Sequence, residues 1–314
     1  MSQLQLVPQA EPSLPKAEAR RAGDLSSSRW SSGSRDLIKN KARALFAQFP
    51  GALSGDEEAI HQLRVESRRM RVAVALLADK PDGRRAKRAR RILRQMTRAA
   101  GVSRDLDVLF EIYDQRLKEL PVRTPEQARL RKRLADARRR GRSHMVEAFL
   151  DLEIAQLRGE LRAIVASGCS PIPVVDERIR DLVLREGQAL GDGFAALGAR
   201  RDPVELHALR RRARRLRYGV EVAQKILDED KGATKPWKAL QDLIGSMHDY
   251  HVLAEWLRKQ ATDDRRRGNR KMAVVATAEA AWAEATVVRL HDQFLASRPG
   301  VIVQQGLSLL NRRM

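Results

Sequence analysis

From Asp36 onward, apolar residues return every three to four positions almost without interruption, the spacing of a helix with one buried face. Leu, Ala, Arg and Glu dominate, and runs of β-branched residues are rare. Glycine and proline punctuate the pattern at Pro50-Gly51, Pro81-Asp82-Gly83, Gly101, Pro121, Gly168, Pro171, Pro203, Gly232, Pro236, Gly245 and Pro299-Gly300, and helices commonly stop at such residues. The pattern predicts helices over about 36–49, 55–79, 84–100, 104–119, 125–150 and 152–167, then over about 176–198, 204–229, 235–246, 249–262 and 264–296. No stretch reads as a strand, so the fold class is all-α. Residues 1–34, rich in Pro, Ser and Ala, read as a disordered tail, and residues 299–314 as a C-terminal tail. Between them, 35–298 reads as one compact helical domain. Its halves, about 35–170 and 174–298, meet at the Pro-rich joint from Ser167 to Glu177.

The halves repeat. HQLRVESRRMR at 61–71 returns as HALRRRARRLR at 207–217, so that His61, Arg64, Arg68, Arg69 and Arg71 match His207, Arg210, Arg214, Arg215 and Arg217. A second block follows each copy: GVSRDLDVL from Gly101 and GSMHDYHVL from Gly245. Two ordered blocks at offsets of 146 and 144 residues imply two helical bundles related by pseudo-twofold symmetry.

On a helix, His61, Arg64, Arg68 and Arg71 fall within a stripe about 80° wide, and Leu63, Met70, Val74 and Leu77 lie on the opposite side. His207, Arg210, Arg214 and Arg217 repeat the stripe, backed by Leu209, Leu216 and Val220. The expected arrangement has the apolar face packed into a bundle and the basic face pointing away from it. The next helix carries another stripe, Arg84, Lys87, Arg91, Arg94 and Arg98, with Leu93, Met96 and Ala100 elsewhere. Lys231, Lys235 and Lys238 match Lys87, Arg91 and Arg94 in the second half, where Asp242 replaces Arg98. Like charges in a row on one helix repel, so a row repeated at matched positions points to a binding surface. Guanidinium forks and ammonium groups suit phosphate oxygens, and residues i and i+7 stand about 10 Å apart, a spacing that suits a long polyanion better than one small phosphate.

The overall charge agrees. Lys and Arg total 61 against 40 Asp and Glu, a net charge of +21 and a pI of about 11.0, which concentrates polyanions near the protein. Cys169 is the single cysteine, which excludes an intramolecular disulfide or a thiol metal cluster. The N-terminus lacks a secretory signal, and no apolar run approaches the roughly 18 residues of a membrane span. The expected location is the cytoplasm. His61 and His207 are either packing or capping residues at a helix start, or donors to phosphate whose charge follows pH. The Arg104-Asp105-Leu106-Asp107 and His248-Asp249-Tyr250-His251 segments match no zinc spacing. Asp105 and Asp249 read as helix caps or as anchors for arginines across the bundle. No catalytic residue, metal or cofactor is expected.

The doubled H-x-x-R-x-x-x-R-R-x-R helix, each followed by a G-x-x-[RH]-D-x-[DH]-V-L block, resembles the CHAD family, the conserved-histidine α-helical domains. The resemblance covers about 36–296. It implies two pseudo-symmetric helical bundles, a basic surface or channel that binds inorganic polyphosphate, and association with polyphosphate granules. It points to His61, Arg64, Arg68 and Arg71, to His207, Arg210, Arg214 and Arg217, and to the basic helices that follow each. Some members carry a triphosphate tunnel barrel with an E-x-E-x-K signature; this chain shows no such signature and reads as a stand-alone, non-catalytic domain. The alternative is a nucleic-acid-binding or general polyanion-binding protein, since charge alone gives salt-dependent affinity. Against it, aromatic residues are 4% of the chain, too few for base stacking. An enzyme acting on polyphosphate would need carboxylates for Mg²⁺ or an activated nucleophile, and no P-loop or acidic cluster is present. Insertion into an anionic membrane would need a spare apolar face, and none is left over. Oligomeric state stays open.

Overall fold

The computed structural model describes residues 33–198, 200–226 and 234–311, with side chains through 308. Helices account for nearly all of it: α1 (33–47), α2 (Phe49–Ser54), α3 (Glu57–Leu77), α4 (Arg84–Glu119), α5 (Pro125–Leu150), α6 (Ile154–Ser167), α7 (Ile172–Leu197), α8 (Pro203–Ile226), α9 (Lys235–Arg266), α10 (Arg270–Ala296) and α11 (Pro299–Asn311). Among the described residues the single β-type contact is an isolated bridge, Ala78 to Cys169.

Two starts are set by matched aspartates. Asp56 caps α3, its side chain accepting from the Ala59 N–H at 2.6 Å. Asp202 accepts from the N–H groups of Val204 and Glu205 at 2.8 and 3.2 Å at the head of α8. Each such cap is worth about 1 kcal/mol, and each stands five residues before its histidine, His61 or His207. Two predicted breaks are absent. Gly101 and Gly245 lie inside the unbroken helices α4 and α9. They lie beside the arginine cluster: a Cβ on Gly101 would be in ordinary contact with Arg64 Nη2 at 3.9 Å, and one on Gly245 with Arg210 Nη2 at 3.6 Å. The real break in that region is the turn at Gly268, whose φ of 75° suits glycine.

The order of packing is the same in both halves. α3 packs on α4, and α4 on α5 and α6; α8 packs on α9, and α9 on α10 and α11. Across the middle, α3 meets α8, α4 meets α9 and α5 meets α10. The apolar faces read from the sequence are buried: Leu63, Met70, Val74 and Leu77, and Leu209, Leu216 and Val220. Two apolar clusters result, and each draws on both halves. One gathers these residues with Ile92, Leu93, Met96, Trp237 and Leu240. The other joins Leu109, Tyr113, Leu130 and Leu134 to Leu253, Leu257, Met272 and Ala276. α4 and α9 serve the first cluster up to Ala100 and Met247, and the second from Leu109 and Leu253. The gap between the clusters therefore falls on the two repeated Gly-containing blocks.

The joint between halves is tied down. The Ser170 N–H donates to Leu77 O at 3.0 Å, and Arg178 Nη1 donates to Leu76 O, Ala78 O and Ser170 Oγ at 3.1, 2.9 and 2.9 Å. Of the expected N-terminal tail, only residues 33 and 34 are described, and they open α1. The expected C-terminal tail is corrected: Pro299 begins a helix rather than ending the fold, because proline is favoured in a first turn. α11 docks on α9 as α6 docks on α4, and it also touches α7. A Cβ on Gly306 would lie 2.3 Å from Cζ2 of the fully buried Trp237. Gly306→Ala is therefore expected to cost about 1–3 kcal/mol by overpacking, read as a lower urea midpoint followed by Trp emission. An unchanged midpoint would contradict the docking of α11.

Candidate polyanion site

In the gap between the two apolar clusters, α3 and α8 face each other with their basic stripes. This corrects the expectation that the stripes point away from the bundle: because α3 packs on α8, the stripes meet. The side chains of Arg64 and Arg210 are each 17% exposed. Arg68 and Arg214 are half-buried beside them, so that four guanidiniums, two from each half, repel one another.

Two carboxylates face these four cations. Asp105 Oδ1 lies 2.9 Å from Arg64 Nη1, and Asp249 Oδ1 lies 3.8 Å from Arg210 Nη2. The same pair is thus made in both halves, each aspartate reaching back from the block that follows the arginine helix. Both aspartates sit mid-helix, so they anchor arginines and cap nothing. Arg68 and Arg214 have no carboxylate within ion-pair range among the described residues. Arg64 Nε and Arg210 Nε are buried donors without an acceptor. Burial, followed by Arg64 and Arg214, pushes Arg68 down to about 8, and burial and Arg210 push Arg214 down to about 10. Guanidinium does not give up its proton under ordinary conditions. The cluster is therefore charged, buried and only partly neutralised by its neighbours.

The histidines flank the cluster in neutral form. Burial lowers His61, with Arg104, Arg64 and Arg68 adding to it. Burial, Arg211 and Arg214 lower His207. His248, which occupies the position matching Arg104, packs against His207 with ring centroids 4.8 Å apart and the ring planes tilted by 51°. Burial, Arg210 and His207 lower it to about 4. Tyr218, buried alongside Arg68, Arg210 and Arg214, also belongs to the site. The sequence reading missed Tyr218 and His248, although Tyr218 stands one helical turn after Arg214 and His248 immediately before Asp249.

The other expected residues divide. Arg71 joins Arg94, Arg215, Arg90 and Arg98 in a second basic group, which together with burial lowers it. Arg217, its counterpart, is drawn aside instead: Glu221 lies 3.6 Å from it at i+4, where Arg71 has Ala75. Glu221 also takes Arg69 at 2.8 Å, an ion pair that ties α3 to α8. Arg84, Lys87, Arg91, Arg94, Arg98 and Lys235 are exposed, and Arg91 pairs with Glu153 at 3.0 Å. Lys238 is neutralised by Asp242 at 3.0 Å. Lys231 lies outside the described residues. Asp107 is buried against Arg138 and Arg142 at 2.6 and 3.1 Å, which braces α4 on α5. Among the described residues no three His, Cys, Asp or Glu side chains converge as a metal would require, and no helix is long and apolar enough to cross a membrane.

A family model described as the CHAD domain matches residues 36–258. The uncharacterized protein MT2285 of Mycobacterium tuberculosis (strain CDC 1551 / Oshkosh) is 29% identical over 219 residues, which is 65% of this chain and 40% of that protein. The uncharacterized protein Rv2226 of strain ATCC 25618 / H37Rv matches to the same extent. The chain thus spans 40% of the length of these curated relatives. Two solved structures share the fold. The CHAD domain from the plant Ricinus communis has a TM-score of 0.60 at 17% identity, covering 85% of this chain and 91% of that one. PptA from Streptomyces chartreusis has a TM-score of 0.64 at 15% identity, covering 85% of this chain and 99% of that one.

The histidine environment carries its own test. His248 is expected to titrate near 4 in the anion-free protein, followed by proton NMR. Its folded value is lowered from 6.5, so below pH 6.5 the unfolded chain takes up a proton that the folded chain refuses, and stability falls as pH drops from 6.5 toward 4. His248→Gln should make that fall shallower. A His248 midpoint at or above 6.5 would contradict the buried, cation-flanked placement.

Proposed function

The chain belongs to the CHAD domain family, and on that premise we propose that it binds inorganic polyphosphate, without turning it over, through the arginine cluster between α3 and α8. The same attraction carries it to polyphosphate granules in the cytoplasm. The observation that supports this reading is the convergence of Arg64, Arg68, Arg210 and Arg214 from both halves, with Arg68 and Arg214 lacking a carboxylate partner among the described residues. Such a cluster is short of negative charge. A chain of phosphates supplies several charges on one backbone, and bidentate guanidinium contacts suit its oxygens. The carboxylates nearest the cluster, Asp105 and Asp249, are each held by an arginine, which favours a positioning role over general-base or metal chemistry. Tyr218 is too buried to stack on a base, so the cluster offers charge rather than base recognition.

Arg68→Gln and Arg214→Gln are each expected to weaken long-chain polyphosphate binding at least about tenfold, the loss of one charged hydrogen-bonding group. Neither change should lower the melting temperature, because each removes a repelled charge. A loss of binding accompanied by a lower melting temperature would make these arginines structural. In competition at physiological salt and matched phosphate concentration, long-chain polyphosphate should displace labelled polyphosphate, and double-stranded DNA or single-stranded RNA should not. Equal displacement by nucleic acid would replace this reading with that of a general polyanion binder. The protein should also release no orthophosphate from long chains with Mg²⁺ or Mn²⁺; steady release would make it an enzyme.

A further inference from the structure

The two halves are unequal outside the central cluster, and the inequality has a direction. α3 and α4 form an antiparallel pair joined by the short turn 78–83, which brings Arg94 and Arg98 alongside Arg71. From there Arg94, Lys87 and Arg84 continue along the exposed face of α4 toward the turn, and Arg84 to Arg98 spans about 21 Å of helix. Among the described residues none of Arg84, Lys87, Arg94 and Arg98 has a carboxylate in ion-pair range, while Arg91 in the same row is held by Glu153. The equivalent face of α9 is cancelled: Lys238 stands at the position of Arg94, Asp242 at that of Arg98, and the two pair at 3.0 Å.

We propose that the exposed α4 row is a one-sided continuation of the arginine cluster, along which a polyphosphate chain leaves the cluster over the first half only, so that the protein selects long chains over short ones. The inference rests on the proposed polyphosphate reading. A short chain fills the cluster and stops there. A longer chain gains further contacts only in the direction of Arg84, because the second half offers a neutral pair where the first half offers two free cations.

The test compares tripolyphosphate with long-chain polyphosphate on the full chain carrying Arg84→Gln, Lys87→Gln and Arg94→Gln. These positions are exposed and unpaired, so folding should be unaffected. Long-chain affinity is expected to fall at least about tenfold, and its dependence on log salt to fall by about 2, from three lost phosphate contacts. Tripolyphosphate affinity should change less than about twofold, because charges beyond a screening length of roughly 8 Å are muted at physiological salt. A charge-matched control on the remote ends of α9 and α10, with Lys259→Gln, Arg266→Gln and Lys271→Gln, should change neither. Unchanged long-chain affinity in the α4 variant would overturn the proposal, as would equal losses for both ligands or an equal loss in the control. The parent reading fails separately: it fails if Arg68→Gln leaves long-chain binding intact, whatever the α4 variant does.

Discussion

Everything at the site depends on holding four guanidiniums together against their own repulsion. Like charges a few ångströms apart near a protein surface repel by on the order of a few kcal/mol, and Asp105 and Asp249 offset only part of that. The remainder comes from the opposite faces of the same two helices. Leu63, Met70, Val74 and Leu77 on α3, and Leu209, Leu216 and Val220 on α8, are all buried, and each contributes about 1.5–3 kcal/mol. Apolar burial wins and presses the basic faces toward each other. Placement between two apolar clusters adds a second constraint. α4 and α9 are anchored above and below the gap, which holds Asp105, Asp249 and His248 beside the arginines.

The two halves share this frame and differ in how charge is set on it. The first half uses fixed charge: Arg104 beside His61, and the largely unpaired row on α4, in which Arg91 alone pairs among the described residues. The second puts His248 where Arg104 would be, His251 where the buried Asp107 would be, and Asp242 where Arg98 would be. At the position beside the leading histidine, the first half therefore keeps a fixed guanidinium. The second has His248, an imidazole that burial and Arg210 hold neutral until the solution turns acidic. The order of helix packing and the Asp–Arg pairs are kept in both halves, and the surrounding charge differs.

Much of this was legible in the sequence because helix periodicity reports which face is buried. The apolar faces of α3, α4 and α8 follow from spacing, whereas spacing left Asp105 and Asp249 open between helix caps and arginine anchors. What periodicity cannot report is what a polar face meets. The stripe on α3 gives the same pattern whether it faces solvent or the stripe on α8, so the half-buried cluster emerged only with the tertiary packing. Arg71 and Arg217 look equivalent until Glu221, one turn beyond Arg217, is set against Ala75. Glycine was misleading for a related reason: Gly101 and Gly245 read as breaks, and both are places inside a helix where another side chain comes close. Pro299 misled in the opposite sense, since a proline that ends one helix can begin the next.

On the proposed polyphosphate reading, a cluster assembled in this way would favour a chain over separate ions. The guanidiniums have already lost much of their hydration and have been brought together during folding, so an arriving anion need not order them. A single small anion relieves the repulsion between only one or two of them and must compete with salt for each place. A linked row of phosphates relieves all of them at once, because after the first contact each further phosphate is supplied at the high effective concentration of a tethered group. Salt screening weakens the contacts together, which makes the binding of a chain steep in ionic strength. On the proposed reading, a half-buried and under-neutralised cluster spanning both halves would suit a flexible polymer of closely spaced charges better than a stiff duplex, whose phosphates would not follow arginines into the gap between two packed helices.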